Sequence, residues 1–184
     1  MRTFIAIDIT AEIRERLIEF VEKHRPLFAN ARWIRPEGAH ITLKFLGEID
    51  LEQKDRIEAA LSRVKATPFE IRVRGVGFFP GTRAPRVLWA GTEAGEPLAA
   101  LASYVEKELA PLGFAKEKQT YRPHLTLARL DPKKTKNSAS AAQDLIERPQ
   151  PDFGTMTATE FFLYQSKLSP HGSHYAKLAR FVLQ

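Results

Sequence analysis

His40-Ile41-Thr42-Leu43 and His124-Leu125-Thr126-Leu127 are two copies of one short pattern. Each places a histidine two residues before a threonine, with aliphatic residues between and after. Successive side chains of a β-strand alternate faces, so His40 and Thr42 share one face while Ile41 and Leu43 take the other. The same alternation puts His124 with Thr126, and Leu125 with Leu127. Both copies therefore predict amphipathic strands, and two such strands facing one cleft would supply two imidazoles and two hydroxyls.

The segments around the motifs read as mixed α and β. Phe4–Ile9 is short, β-branched and apolar, a strand buried on both faces. Thr10 is placed to cap a helix whose apolar face is Ile13, Leu17, Phe20 and Val21. Arg32-Trp33-Ile34 is a short extended piece ahead of the first motif strand, which runs from about His40 to Leu46 and closes at Gly47. Asp50 and Gln53 form a capping box for a helix facing inward through Ile57, Leu61 and Val64. Phe69, Ile71 and Val73 alternate with charged residues as a half-buried strand. The Gly75–Pro85 stretch reads as a loop, and a strand follows at Arg86–Ala90.

A second cycle then begins. Pro97 suits the first turn of a helix to about Leu109. The second motif strand spans His124–Leu130, a short helix follows at Ala139–Glu147, and two long extended segments, Thr155–Gln165 and Tyr175–Leu183, close the chain. Strands in immediate succession favour antiparallel sheets over a doubly wound parallel one. Arg-Pro precedes both motifs, closely at Arg35-Pro36 and immediately at Arg122-Pro123, but little else repeats. The duplication is one of function rather than of a solenoid array.

Composition bounds the partners. The 184 residues carry a formal net charge of +6, which tilts the surface toward anions such as nucleic acids, nucleotides or phosphates. The absence of cysteine excludes disulfides, thiol catalysis and cysteine-ligated metal, and fits a reducing cytoplasm. No stretch approaches the roughly 20 apolar residues of a membrane span. The start meets Asp8 too soon for a signal-peptide apolar region. A cytoplasmic protein with no membrane contact and no obligate protein partner is the expectation.

Two readings of the paired histidines compete. Catalytic zinc usually takes three protein ligands, often two from adjacent helical turns. Here the histidines lie far apart on strands without a carboxylate at ligand spacing, and His171 and His174 fall in a Gly/Ser turn that faces solvent. Acid–base chemistry fits better. Imidazole titrates near neutrality, and in-line displacement at phosphorus needs a base and an acid on opposite sides. Each threonine can donate a hydrogen bond to a non-bridging phosphate oxygen, so neither a metal nor an organic cofactor is required.

With both motifs in view, the sequence resembles the 2H phosphoesterase superfamily, and within it the RNA 2′,3′-cyclic phosphodiesterases, also called 2′-5′ RNA ligases. The resemblance rests on Phe4–Asp8, Arg32-Trp33, His40–Glu48, Arg86–Trp89, His124–Arg129 and the Gly172–Tyr175 turn. It implies a single bilobal α+β domain over residues 1–184, with two pseudo-symmetric lobes of antiparallel sheet, outer helices and a central cleft. It also implies opening of RNA 2′,3′-cyclic phosphate ends to 2′-phosphomonoesters. His40 would then be the proton donor and His124 the proton acceptor, with Thr42, Thr126 and Arg129 on the phosphate. Joining of tRNA halves through a 2′-5′ bond, or a non-catalytic RNA- or nucleotide-binding module, are the alternatives.

The finer placements are expectations of different kinds. Arg129 lies five residues past His124, on the wrong face unless a bulge intervenes near Ala128. Arg122 has the right parity for a lesser role. For stacking on a nucleobase Phe79 leads Trp33, Phe78, Trp89 and Tyr121. Lys133, Lys134 and Lys136 form a basic loop able to steer RNA, though such runs are usually solvated. Phe45 falls on the aliphatic side of its strand and is assigned to the core.

Overall fold

The computed structural model describes residues 1–35, 38–131, 137–169 and 172–184. Lys133, Lys134, Lys136 and His171 lie outside these described residues. The strands are β1 (Arg2–Asp8), β2 (Arg32–Trp33), β3 (His40–Glu48), β4 (Phe69–Phe79), β5 (Val87–Glu93), β6 (His124–Arg129), β7 (Asp152–Ala158), β8 (Glu160–Ser169) and β9 (Gly172–Val182). The helices are α1 (Ala11–His24), α2 (Leu51–Leu61), α3 (Gly95–Leu109) and α4 (Ser138–Glu147). Among the described residues all strand pairs are antiparallel, in two sheets of order β3-β1-β8-β9 and β2-β6-β5-β4-β7. This is the α+β architecture that the succession of strands predicts.

Local signals set the helices. Thr10 accepts from the Ile13 amide at the start of α1, and Asp50 and Gln53 form the reciprocal capping box of α2. The helices then cross over. α1 follows β1 of the four-stranded sheet but packs on β7 of the five-stranded one. α3 follows β5 of the five-stranded sheet but packs on β3 of the four-stranded one. Buried residues of both sheets consequently join into one continuous core, from Ile5 and Ile41 to Leu88 and Leu125.

Three sequence expectations are corrected. Gly75–Phe79 is strand, not loop: β4 continues through a bulge between Val73 and Val76, where Gly75 takes φ 72°. Gly77, within the same strand, is glycine because the indole of Trp89 covers it. A Cβ there would sit 2.1 Å from the ring. The Thr155–Gln165 segment is two strands that part at Thr159, β7 joining one sheet and β8 the other. Continuous β-forming sequence carries no mark of which sheet will accept it. The third correction is Phe45, which is 61% exposed, whereas Lys44 beside it is buried at 3%.

A bulge causes that inversion. Along the β1–β3 ladder Ala6 pairs with Thr42 but Ile5 pairs with Lys44, so Leu43 is an extra residue and the alternation resets. Lys44 turns inward and Phe45 turns to the face of His40 and Thr42. Burying the ammonium requires partners. Lys44 donates to Glu106 Oε1 at 3.1 Å and to the Ala115 carbonyl at 2.8 Å.

Candidate active site

The two motif strands are edge-side neighbours at the junction of the sheets, where β3 and β6 lie against each other. Directly opposed cross-strand residues share a face. On the four-stranded sheet this face therefore carries His40 opposite Asp8, Thr42 opposite Ala6, and Phe45 opposite Phe4. On the five-stranded sheet it carries His124 opposite Gly91, Thr126 opposite Trp89, and Arg129 opposite Val87.

The second motif contains the same bulge as the first. Trp89 pairs with Thr126 but Leu88 pairs with Ala128, making Leu127 the extra residue. That shift brings Arg129 onto the face of His124 and Thr126, the reconciliation its sequence position demanded. Position for position, Leu127 answers Leu43, Ala128 answers Lys44, and Arg129 answers Phe45.

Both imidazoles are held alike. His40 Nδ1–H donates to the Gly38 carbonyl at 2.6 Å, and His124 Nδ1–H donates to the Arg122 carbonyl at 2.7 Å. A carbonyl only accepts, so each bond fixes the proton on Nδ1 and leaves Nε2 as the nitrogen available for chemistry. Tyr121, three residues before His124, donates its hydroxyl to the Thr42 carbonyl at 3.0 Å and ties the two motifs together. Burial holds its phenol well above the usual range.

The walls differ. His40 stacks on Phe4 with ring centroids 4.5 Å apart, and the ring of Tyr175 meets it edge-on at 5.1 Å. Tyr164 in turn stacks on Phe4, at 5.2 Å. Tyr164 also donates its hydroxyl to Asp8 Oδ1, and Lys177 pairs with Asp8 Oδ2 at 2.5 Å. Tyr175 lies so close over Gly38 that a Cβ there would be 2.7 Å from its ring. Desolvation by this aromatic enclosure pulls the His40 pKa down to about 4, against the smaller upward pulls of the Gly38 carbonyl and the Asp8 carboxylate. His124 meets a single described ring, Phe79, edge-on at 5.1 Å.

His40 and Thr42 share one face of β3, His124, Thr126, Arg129 and Phe79 share one face of the five-stranded sheet, and β3 lies against β6. Phe79 lies on the shared face beside Trp89, at 5.2 Å. Phe78 is in the core, Trp33 packs on it from the opposite face, and Tyr121 is committed to the Thr42 carbonyl. Arg122 is exposed and serves through its backbone carbonyl. His174 is exposed, and among the described residues no three His, Cys, Asp or Glu side chains converge. No helix among them is long and apolar enough to cross a membrane.

Sequence reasoning missed Asp8, Tyr164, Tyr175 and Lys177 as neighbours of His40. Asp8, a lone acid ending an otherwise apolar strand, carried a usable signal. The other three arrive on β8 and β9, more than 100 residues away in the chain, and no local pattern foretells that pairing.

Two His–Thr strands, each with an Nε2 that bonds no described residue, thus lie at the seam of two antiparallel sheets. A family model described as LigT-like phosphoesterase matches this chain twice, over residues 7–89 and 91–175, and the chain belongs to that family. Each match contributes strands to both sheets, so the repeats are interleaved rather than side by side. A relative from Archaeoglobus fulgidus, named RNA 2′,3′-cyclic phosphodiesterase, is 38% identical over 98% of this chain and 99% of its own. One of the same name from Thermotoga maritima is 34% identical over 97% of this chain and 93% of its own. The crystal structure of Escherichia coli LigT complexed with 3′-AMP superposes with a TM-score of 0.81 at 30% identity, covering 99% of this chain and 97% of that one.

Proposed function

We propose that this protein opens the 2′,3′-cyclic phosphodiester ends of RNA to 2′-phosphomonoesters, using its two histidines and no metal. The observation that carries the reading is the matched presentation of the imidazoles, each with Nδ1 tied to a carbonyl two residues back. The relatives named RNA 2′,3′-cyclic phosphodiesterase supply the substrate class.

In this reaction a water oxygen attacks phosphorus and gives its proton to Nε2 of His124. The P–O3′ bond breaks, and the departing 3′ oxygen takes a proton from Nε2 of His40. Thr42 and Thr126 donate to the non-bridging oxygens, and Arg129 supplies a guanidinium to the same group. A histidine with a pKa of about 4 is neutral at pH 7 in the free protein. As donor it must gain its proton as substrate binds, which the anionic phosphate in front of it and Asp8 beside it both favour.

The test is turnover of a 2′,3′-cyclic nucleotide or oligomer in excess chelator, with the product phosphomonoester identified as 2′ or 3′. Undiminished turnover, a 2′ product, and losses of about 10²–10⁴ in His40→Ala and His124→Ala are expected. Loss of activity under chelation, a 3′ product, or near wild-type rates in either variant would sink the proposal.

A further inference from the structure

Beyond the His–Thr pairs, the His124 face of the five-stranded sheet holds a pair of cations with no counter-charge among the described residues. β2 is the edge strand, and Arg32 pairs directly with Arg129 of β6. The two side chains therefore project from the same face, which the bulge at Leu127 has made the face of His124 and Thr126. Both are exposed, and neither makes an ion pair or hydrogen bond with a described residue. Like charges directly opposed across a ladder are destabilising, and a sheet edge would be blunted as well by one cation beside an acid. Two guanidinium forks side by side match an anion between them.

We propose that Arg32 forms a subsite for a second phosphate of the substrate, flanked by Arg129, which reaches from the phosphate being opened toward it. This rests on the function proposed above and deepens it. A cyclic end held between His40 and His124 occupies the level of Thr126, and the Arg32–Arg129 row lies one pleat plus a bulge further along β6. The phosphodiester joining the terminal nucleotide to the rest of an RNA chain is the group that chemistry would place there. A 5′-phosphate on a cyclic mononucleotide presents similar chemistry.

Three substrates distinguish these sources: adenosine 2′,3′-cyclic phosphate, the same nucleotide with a 5′-phosphate, and the dinucleotide ApA with a 2′,3′-cyclic end. In Arg32→Gln the ratio of kcat/KM for the dinucleotide over the simple cyclic nucleotide falls about tenfold, and Arg32→Lys recovers part of it. A parallel fall for the 5′-phosphorylated nucleotide supports a subsite for any second phosphate, and a fall for the dinucleotide alone supports one for the RNA diester. In the wild-type protein log kcat/KM falls more steeply with log salt for the dinucleotide, by about 0.7 for one more neutralised phosphate, and Arg32→Gln removes that excess. An edge cation with no ligand would be indifferent to substrate length. Unchanged ratios and unchanged salt slopes in Arg32→Gln overturn the subsite. Wild-type protein inert on all three substrates would instead overturn the phosphodiesterase reading itself.

Discussion

The two motifs are built on one backbone design and furnished differently. In both, a histidine Nδ1–H is bound to the carbonyl two residues earlier, and an extra leucine after the threonine resets the strand's alternation. The side chains around that shared frame diverge. Across the ladder His40 faces the carboxylate of Asp8, and His124 faces the bare backbone of Gly91. His40 is enclosed by Phe4 and Tyr175, and His124 meets Phe79. After the bulge one strand presents Phe45 on the face of its histidine and buries Lys44, while the other presents Arg129 and buries Ala128. Backbone geometry thus sets where the reacting groups stand. The packing of non-reacting neighbours sets how differently the two imidazoles behave.

The threonines test whether the two motifs are functionally equivalent. If both serve as equivalent phosphate donors, Thr42→Val and Thr126→Val each lower kcat/KM by about 10²–10³, with folding intact by circular dichroism. A loss at one threonine only would show that the shared frame conceals unequal roles.

The buried post-bulge residues come next. Lys44→Met leaves Glu106 facing an apolar partner and costs on the order of 3 kcal/mol in denaturant unfolding. The double change with Glu106→Gln recovers much of it, because the other strand keeps the same bulge with Ala128 and no ion pair.

The enclosure of His40 makes stability pH-dependent with a definite sign. Its folded pKa of about 4 lies below the unfolded value of 6.5, so between these limits the unfolded chain binds the proton more readily. Stability is full above pH 6.5 and falls as pH drops toward 4, by up to about 3 kcal/mol. His40→Gln should flatten that part of the curve in unfolding measured at several pH values.

The smallest effect belongs to Asp8. Its carboxylate raises the His40 pKa, so Asp8→Asn should move the limb of the kcat/KM profile that reports His40 to lower pH. A shift to higher pH, or none, would mean that the carboxylate acts on Tyr164 and Lys177 alone.

The sequence by itself determined the α+β class, the helix caps at Thr10 and Asp50, and the sharing of a face by each His–Thr pair. These features depend on neighbours one to four residues apart, where backbone periodicity and capping chemistry act directly. Arg129 was legible only conditionally, and Phe45 was misread, because one inserted residue inverts every later position of a strand. The tertiary structure alone decided which sheet each strand entered. It ran Thr155–Gln165 into two different sheets and brought Tyr164, Tyr175 and Lys177 beside Asp8 and His40. Cross-strand pairing is settled by burial and register over the whole chain, and a strand's own residues do not encode the identity of its neighbour. The two His–Thr pairs could therefore be read from the sequence, while the chemical difference between them could not.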